Sequence, residues 1–432
     1  MYDVLLVPLA LVLFGVLAFK RWSAIIIGPL ISLLLVVAAD MPIFKSMIGP
    51  YMAGSAAYVK NFFLVFMVGA LFGAIYEDTR AAESIARAMS KVTKGRFTAP
   101  LIMVITGVLT FGGISGFVVF FAIYPIAQEL FKSANITRRL MPAAISAGCW
   151  TWSMSSPGTP AIQNIIPMRA LGTSSMAAPI TGAVAGIAQF IMIFLWLEYR
   201  ARKIKASGEG FVAQAGYDMN AHKVDESELP NPWIAMIPPA VILIGFNVFK
   251  IPVEGAVLLG TLLAIGLFWK HVKGGIGAWI NILNKGGTNS CTAILNTALV
   301  VGFASIVRET AGFKSIIASL LNLDLPPLVF VAITVAIAAG AAGSASGGMG
   351  VAFDALKETY VGLGVSLQHV HRIAAIASGT LDTLPHQGAQ ITLLNICGQT
   401  HKEAYWDIAV TQILVPFIAL AIAIPLMQMG LM

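Results

Sequence analysis

The sequence predicts an all-α polytopic membrane protein in which two halves form an inverted two-fold repeat with broken helices. The composition is 58% hydrophobic and only 11% charged, with a mean hydropathy of +0.84, which excludes an ordinary soluble protein. The chain also repeats itself at a constant offset. Glycine, serine and proline interrupt its apolar segments at corresponding places in the two halves.

The repeat is clearest between residues 72–85 and 303–316. The residues that coincide at one offset are Phe72 with Phe303, Ile75 with Ile306, Thr79 with Thr310, Ser84 with Ser315 and Ile85 with Ile316. Farther along, Ser115-Gly116 corresponds to Ser346-Gly347. Repeats that are broken at matching positions are typical of secondary transporters, whose binding site lies where the broken segments meet.

Several apolar stretches are long enough to cross about 30 Å of hydrocarbon as helices. These stretches are 4–19, 24–39, 62–76, 98–112, 180–197, 234–249, 253–269, 288–307, 326–342 and 408–430. The first is followed directly by Lys20-Arg21 and lacks a small-residue cleavage site. It therefore predicts an uncleaved span and not a signal peptide.

Basic residues in the loops predict the orientation of the two halves. Lys20-Arg21 follows the first span, a basic cluster at 80–96 follows the third, and another at 200–205 ends the first half. If these loops are cytoplasmic, the N-terminus is external and the second half begins at Pro232 from the inside. Loop charge alone therefore predicts that the halves are inverted.

The polar stretch between the halves has no apolar period and predicts a cytoplasmic linker. Segments 80–92 and 310–322 look amphipathic and predict interfacial helices that connect the two parts of each repeat. The predicted first repeat is 1–200, in which 1–76 is a scaffold and 98–197 a transport part. A linker follows at 201–231. The predicted second repeat is 232–432, in which 232–307 is a scaffold and 326–432 a transport part.

Other classes of protein find no support in the sequence. A Walker A loop and a dinucleotide fingerprint are missing, no metal-ligand spacing occurs, and the three cysteines stand apart in apolar context, so we expect no cofactor and no metal site. The net charge of +7 lies in loops beside the spans, where it reports orientation rather than nucleic-acid binding. The expected surroundings are the lipid bilayer.

Four segments are too polar and too rich in glycine and proline for ordinary spans. They are Phe111–Gly116, Ser153–Pro160, Gly343–Gly348 and Ser378–Gly388. Non-helical backbone survives at membrane depth only when it is buried in protein or lines an aqueous cavity, and half-helix N-termini favour an anion. The substrate-binding residues predicted from these segments are Ser115, Gly116, Ser156, Gly158, Thr159, Ser346, Gly347, Thr380, Thr383, His386 and Gln387. The alternative is that Ser-Gly pairs only allow close helix packing.

Asp382 is a carboxylate at membrane depth, which is costly unless it is paired or functional. Asp382 and His386 are therefore the first candidates for proton coupling, with Asp354 next, although a helix cap by Asp382 and a local pair of Asp354 with Lys357 are alternatives. No hydrolase or protease motif surrounds Asp382 and His386, so we do not expect an enzyme. Arg139 and Arg372 precede broken helices, where structural or headgroup contacts are the favoured interpretation over substrate binding.

The order and spacing of several segments resemble the gluconate permease (GntP) family of the ion transporter superfamily, over nearly the whole chain. These segments are the Phe-Gly-Ala start of 72–89, Lys-Ser-Ala-Asn-Ile-Thr at 132–137, Pro-Gly-Thr-Pro at 157–160, Gly-Ser-Ala at 343–345 and Ser-Gly at 378–379. The resemblance implies a multi-pass bacterial inner-membrane proton symporter for a small organic anion. It also implies re-entrant hairpins, an elevator-like movement of a transport domain against a scaffold, and a homodimer.

The sequence departs from the gluconate transporters where specificity should lie. Those proteins carry an acidic residue in the segment matching 111–117 and a longer turn, rich in His, Asn and Asp, where this chain has 382–388. We therefore expect a short hydroxy- or ketocarboxylate such as 3-hydroxybutyrate as substrate. A gluconate or sugar-acid proton symporter and a sodium-coupled carboxylate carrier are the alternatives.

Overall fold

The computed structural model describes residues 2–432 apart from 21, 82–83, 86, 89–90, 92–96, 114–115, 213–228, 316–324, 386, 388, 391–392 and 395–396. Within these described residues the secondary structure is helical and contains no β-strand. The longer helices of the first half are α1 (Tyr2–Phe19), α2 (Ala24–Ala38), α3 (Ile43–Asp78), α4 (Thr98–Phe111), α5 (Gly116–Ser133), α6 (Met141–Trp150), α7 (Ile162–Leu171) and α8 (Pro179–Ala206).

The second half is also helical where the structure describes it. Its longer helices are α9 (Ile237–Asn247), α10 (Val253–Phe268), α11 (Gly275–Glu309), α12 (Pro327–Ala342), α13 (Ala345–Gly362), α14 (Leu367–Ser378) and α15 (His401–Gln428). By length and composition, α3, α8 and α15 can cross a membrane, and several shorter helices are also apolar. A helical membrane protein is therefore the fold class that the structure supports.

Three helices extend beyond the apolar stretches of the sequence, because that criterion recognises only apolar residues. α3 begins at Ile43 rather than 62, and α11 begins at Gly275 rather than 288, since both helices contain polar turns. α8 continues to Ala206, so the predicted linker 201–231 starts inside a helix. An ion pair between Arg202 and Glu198, one helical turn apart, supports this last part of α8.

The interfacial helices predicted at 80–92 and 310–322 lie only partly within the described residues. Helical residues occur at 81, 84–85, 87–88, 91 and 311–315, whereas the other residues of 81–92 and all of the second segment from 316 onward fall outside the described residues.

α3 and α11 pack against each other in antiparallel orientation. At the start of α3, a Cβ added to Gly54 would overlap Ser305 Oγ, which lies near the end of α11. At the other end of α3, Asp78 Oδ2 lies 3.1 Å from Lys285 Nζ, in the first part of α11. Because Gly54 has no side chain, the two helices approach closely along this contact.

In the second part of each half, three successive helices contribute to a buried apolar cluster that they share with other helices. In the first half, α4, α5 and α6 contribute Ile102, Phe120 and Met141 to one buried cluster. In the second half, α12, α13 and α14 contribute Val331, Phe353 and Ile373 to another. These helices therefore carry the broken segments on a packed apolar support.

α12 and α13 form a helical hairpin whose turn is Gly343–Ser344. Gly343 has a φ of 55°, which favours glycine, and the Ser344 side chain accepts a hydrogen bond from the Gly347 N–H at the start of α13. A Cβ added to Gly348 would overlap the backbone of Ala339 on α12. The hairpin therefore needs glycine at position 348.

We expect Gly348→Ala to destabilise the protein, because the added methyl group forces α12 and α13 apart. Overpacking of this kind costs about 1–3 kcal/mol. Gly350→Ala is the matched control, since no atom lies within 4 Å of a Cβ at Gly350 on the same helix. Thermal unfolding in detergent should show a lower midpoint for Gly348→Ala only, and equal midpoints for the two variants would contradict the close packing.

Candidate functional site

Two of the broken segments share an unusual backbone geometry. α6 ends at Trp150 and is followed by Thr151, with φ −122° and ψ −110°, whereas α14 ends at Ser378 and is followed closely by Thr380, with φ −106° and ψ −86°. In each case the threonine hydroxyl donates to a carbonyl of the helix just ended, at 2.6 Å for Thr151 and 2.5 Å for Thr380. The Thr151 hydroxyl thus bonds a carbonyl in the last turn of α6, and the Thr380 hydroxyl adds a donor to the Ala377 carbonyl, which also accepts from the Thr380 N–H at 3.2 Å.

After the break, both segments continue in the same way. One helical turn follows, Trp152–Ser155 in the first half and Leu381–Thr383 in the second. An extended residue then precedes a proline, at Ser156-Pro157 and at Leu384-Pro385. The residue before a proline is restricted to such an extended backbone, so the sequence explains where both turns end.

Contacts connect the broken segments of the two halves. A Cβ added to Gly379 would lie 2.8 Å from Met154 Cε and 3.5 Å from the Trp150 carbonyl oxygen. Gly379 belongs to the last broken segment, whereas Trp150 and Met154 border and form the second one. The segments at 153–160 and 378–388 therefore lie against each other.

The first broken segment joins this assembly through the second. A Cβ added to Gly113 would lie 3.6 Å from Pro160, and one added to Gly116 would lie 2.7 Å from Trp150 Nε1. Gly113 has a φ of 95°, which permits the turn between α4 and α5. Ser115 was predicted to bind substrate, but it lies outside the described residues.

Asp382 connects the third and fourth broken segments. Its carboxylate accepts a hydrogen bond from the backbone N–H of Ala345, the first residue of α13. It also accepts from Thr383 Oγ1 at 3.2 Å, from the Thr383 backbone and from Gln387 Nε2 at 3.0 Å. Asp382 therefore has the geometry of a cap at the helix N-terminus, which was the alternative to proton coupling.

These four hydrogen bonds affect how Asp382 could carry a proton. Each of them places a donor on the carboxylate, and a protonated carboxyl group needs an acceptor for its own hydrogen. Protonation of Asp382 would therefore require one of these bonds to break or, at the Thr383 hydroxyl, to reverse its direction. His386, the predicted partner in proton coupling, lies outside the described residues.

Arg372 is completely buried and holds the second broken segment in place. Its nitrogen atoms donate to protein oxygens. Nε donates to Ala177 O at 3.1 Å, and Nη2 donates to Ser175 O at 3.1 Å and Ala177 O at 2.9 Å. Nη1 donates to Ser155 O at 2.5 Å and to Asn164 Oδ1 at 2.9 Å. These five bonds use the full set of guanidinium donors. Arg372 therefore has the structural role favoured from the sequence, with no donor left for a substrate.

Asn164 extends this network to the predicted binding residues. Its Nδ2 donates to the carbonyl oxygens of Ser156 at 3.0 Å and Thr159 at 3.2 Å, and its Oδ1 lies 2.9 Å from His371 Nε2. The backbone around Ser156, Gly158 and Thr159 is therefore fixed from α7 and α14 together. Ser156 is half-buried, and Gly158 and Thr159 are buried.

Helix α3 reaches the third broken segment. Tyr58 on α3 is buried, and its hydroxyl lies 2.9 Å from Ser346 Oγ, which in turn lies 3.4 Å from Ser344 Oγ. The neighbouring Gly347 packs against Val301 of α11, with an added Cβ 3.0 Å from Val301 Cγ2. The predicted scaffold helices therefore contact the predicted binding residues Ser346 and Gly347.

A chain of side-chain hydrogen bonds runs from α6 through α15 to Gln390. Ser146 Oγ donates to Pro142 O at 2.6 Å, Gln412 Nε2 donates to Ser146 Oγ at 2.6 Å, and Gln390 Nε2 donates to Gln412 Oε1 at 2.6 Å. Because the Ser146 hydroxyl is committed to a carbonyl, the direction of every later bond is fixed. Gln390 therefore turns its own Oε1 away from this chain.

Two buried amide oxygens in this region have no donor among the described residues. They are Oε1 of Gln390 and Oε1 of Gln387, whose Nε2 is bonded to Asp382. A buried acceptor that lacks a donor costs about 1–3 kcal/mol. Each of these oxygens can be satisfied by a ligand that donates a hydrogen bond.

The remaining predicted residues lie in two different settings. Thr380 and Thr383 are buried beside Asp382 in the fourth segment. Asp354 has an exposed side chain on α13, and its Oδ2 lies 3.8 Å from Arg308 Nη1 rather than beside Lys357 as an ion pair. Arg139, the sequence counterpart of Arg372, pairs with Glu209 at 3.1 Å on the surface. Asp354 and Arg139 are therefore not brought into the assembly of broken segments.

The sequence interpretation missed Asn164, Gln390, Gln412 and Tyr58. Polar residues within otherwise apolar helices were the available signal, since each must find a partner in the protein interior. The sequence could not identify those partners, because they lie far away along the chain. Asp407 was also missed, and it forms a buried bidentate ion pair with Arg200, with distances of 2.6 and 3.1 Å.

The chain is similar along its whole length to a known protein. It is 33% identical to the uncharacterized transporter YxjC of Bacillus subtilis (strain 168), and the similarity covers 98% of each chain. The chain belongs to this transporter family. No protein-family model matches it. Since both halves take part in the similarity, the helices and broken segments described above together form a transporter.

We expect Arg372→Gln to destabilise this transporter strongly, because the shorter side chain leaves several buried carbonyl oxygens without donors. Loss of a buried network of charge-assisted bonds should cost at least about 3 kcal/mol. Arg139→Gln, at the corresponding position of the other half, removes a surface ion pair worth about 0–1 kcal/mol. Thermal unfolding of both variants measures the difference. A similar midpoint for the two would show that the hydrogen bonds of Arg372 do not stabilise the second broken segment.

Proposed function

We propose that the protein imports a small organic anion, a short hydroxy- or ketocarboxylate resembling 3-hydroxybutyrate, by proton symport. The observation that carries this proposal is the contact between broken segments of both halves inside an apolar helical transporter. Polar backbone in such a position binds polar substrates in other transporters. The resemblance to the gluconate permease family supports the choice of an organic acid and a proton.

An inverted two-fold repeat is the architecture that we propose for this transporter. Its support is the antiparallel contact of α3 with α11, since the sequence repeat makes these helices equivalent. Equivalent helices that run in opposite directions belong to halves of opposite orientation. An elevator-type movement of the second part of each half against α3 and α11 would then carry the substrate across the bacterial inner membrane.

The orientation can be measured with single cysteines. Lys20 between α1 and α2 and Lys250 between α9 and α10 lie in corresponding loops of the two halves. We expect Lys250→Cys to react with an impermeant maleimide outside intact cells, and Lys20→Cys to react only after permeabilisation. Both sites are exposed, and Cys291→Ser removes the exposed native thiol. Labelling of both cysteines from the same side would contradict the inverted repeat.

The substrate proposal rests on the small number of polar groups in the first broken segment and on the acceptor oxygens of Gln387 and Gln390. A hydroxyl group can donate to such an oxygen, and a site that expects this bond rejects an analogue without it. We expect 3-hydroxybutyrate to raise the thermal stability of the purified protein, by about 2.7 kcal/mol at a concentration of about 100 times Kd. Uptake that gluconate displaces at equal or lower concentration would contradict the choice of substrate.

A substitution at Gln390 tests whether this residue belongs to the binding site, independently of which substrate is transported. Gln390→Leu should lose about tenfold of the preference for 3-hydroxybutyrate over butyrate, since one hydrogen bond is worth about 1.4 kcal/mol. Gln428→Leu, at the exposed end of α15, is the control. Unchanged preference in Gln390→Leu would remove Gln390 from the site while leaving transport of the substrate intact.

Proton coupling through Asp382 remains our proposal for the energy source. A membrane potential that is negative inside opposes an anion by about 2.3 kcal/mol per charge and 100 mV, so a cation must accompany it. Asp382 is the carboxylate within the broken segments, and the hydrogen bond from the Ala345 N–H joins it to α13. Release of this bond on protonation would link proton uptake to a movement of the α12–α13 hairpin.

We expect Asp382→Asn to lose accumulation of substrate under an imposed pH gradient while retaining exchange of substrate. Asp354→Asn, which changes an exposed carboxylate, should still accumulate it. The assay is performed without sodium, so that a requirement for sodium would appear as a loss of uptake in the unmodified protein. Equal loss of exchange and accumulation in Asp382→Asn would show that this residue serves only as a helix cap.

A further inference from the structure

The two buried amide groups whose Oε1 lacks a donor, Gln387 and Gln390, differ in the partner of their Nε2 groups. Nε2 of Gln390 donates to Gln412 Oε1, and the direction of the chain from Ser146 allows this amide one orientation. Nε2 of Gln387 donates to Asp382 Oδ2 at 3.0 Å. A carboxylate only accepts hydrogen bonds when it is ionised, but it donates one when it is protonated. The orientation of Gln387 therefore depends on a group that can change.

A proton on Asp382 Oδ2 can be stabilised by Gln387. The new O–H group needs an acceptor, and the Gln387 amide lies 3.0 Å from Oδ2. If the amide rotates by half a turn, its Oε1 takes the place of Nε2 and accepts the O–H. The terminal torsion of glutamine is broad and roughly two-fold, so this rotation costs little. It gives Oε1 the donor that it lacks and turns the N–H groups of Nε2 to where Oε1 was.

The Thr383 hydroxyl is the other acceptor available to a protonated Asp382, since it lies 3.2 Å from Oδ1 and can reverse the direction of its bond. That reversal leaves Oε1 of Gln387 buried without a donor, which is costly. Rotation of Gln387 removes this cost, and it leaves an N–H group that a bound anion can accept from. The rotated amide is therefore favoured when a proton and an anion are both present.

The titratable groups on the neighbouring elements do not replace Asp382 in this role. α12 contains none. The groups with partners elsewhere are His371 and Arg372 on α14, which bond to Asn164, Asp354 on α13, which pairs with Arg308, and Asp407 on α15, which pairs with Arg200. The Tyr405 hydroxyl donates to the Thr383 carbonyl oxygen at 3.0 Å, and His401 bonds to the backbone of the fourth segment. Within the described residues, Asp382 is thus the titratable group that bonds to Gln387.

We propose that Gln387 couples the proton to the organic anion through this rotation. When Asp382 is ionised, Gln387 presents an acceptor oxygen, which repels a carboxylate group. When Asp382 is protonated, Gln387 presents an N–H donor, which binds one. Each of the two ligands then strengthens the binding of the other by the same factor. Gln390 keeps its acceptor oxygen in both states and receives the hydroxyl group of the substrate.

This role of Gln387 rests on the function proposed above and adds to it a link between the two binding events. Neutralisation of Asp382 also weakens its bond with the Ala345 N–H, because hydrogen bonds to charged acceptors are about twice as strong as neutral ones. The same proton therefore acts on the anion through Gln387 and on the α12–α13 hairpin through Ala345.

The test measures the Kd of 3-hydroxybutyrate for the purified protein between about pH 5.5 and about pH 9.5, a range in which the ligand stays ionised. We expect the Kd of the unmodified protein to rise with pH. Gln387→Met, which keeps the length of the side chain, should raise the Kd about tenfold at the lowest pH, since one hydrogen bond is lost. The ratio of the Kd values at the highest and lowest pH should become at least about threefold smaller. Gln390→Met is the matched control and should raise the Kd without changing this ratio.

Asp382→Asn gives an independent arm of the test, because its Nδ2 is a permanent donor to Gln387 Oε1. This variant should bind 3-hydroxybutyrate at every pH with the Kd that the unmodified protein shows at the lowest pH. Asp382→Asn/Gln387→Met should lose about tenfold of this affinity. Loss of the pH dependence in Asp382→Asn assigns the titration to Asp382 rather than to His401.

The outcomes separate the role of Gln387 from the proposed function. Equal Kd ratios in the unmodified protein and Gln387→Met would overturn this role and leave proton symport of the anion in place. A pH dependence that persists in Asp382→Asn would also overturn it, whether or not Gln387→Met folds. A Kd of the unmodified protein that does not change with pH would overturn proton coupling, and absence of binding at every pH would overturn the substrate. In either case the role of Gln387 is overturned as well.

Discussion

Broken helices inside an apolar protein must satisfy the backbone groups that they release, and this constraint determines much of the second part of each half. Arg372 meets it with a single side chain that donates to the carbonyl oxygens of Ser155, Ser175 and Ala177. Asp382 satisfies a backbone group of the other kind, because its carboxylate accepts a hydrogen bond from the first N–H of α13. A positive group thus holds free carbonyls and a negative group holds a free N–H, as helix ends require.

These internal bonds also decide what remains for a ligand. Arg372 has no donor left, and the carboxylate of Asp382 already accepts four hydrogen bonds. Neither charged group is therefore available for an ion pair with a ligand. The neutral amide oxygens of Gln387 and Gln390 are the buried acceptors without donors in the described part of this region. A transporter benefits from this arrangement, because a ligand held by neutral groups can also be released.

The sequence predicted the features that depend on composition and local pattern. Apolar stretches, helix-breaking residues and the repeat were sufficient to find most helices and to select the broken segments. Polar turns within α3 and α11 concealed where these helices begin, because their partners, such as Asp78 for Lys285, come from another helix. For the same reason the sequence could not show that Arg372 holds protein carbonyls or that Asp382 caps α13.

The contact between Tyr58 and Ser346 has a consequence for the speed of transport. It joins α3 to the α12–α13 hairpin with one neutral hydrogen bond of 2.9 Å. Any movement of the hairpin along α3 must break this bond, at a net cost of only about 1 kcal/mol. That cost is comparable with thermal energy. The bond therefore favours one position of the hairpin but slows its movement away from that position only a few-fold.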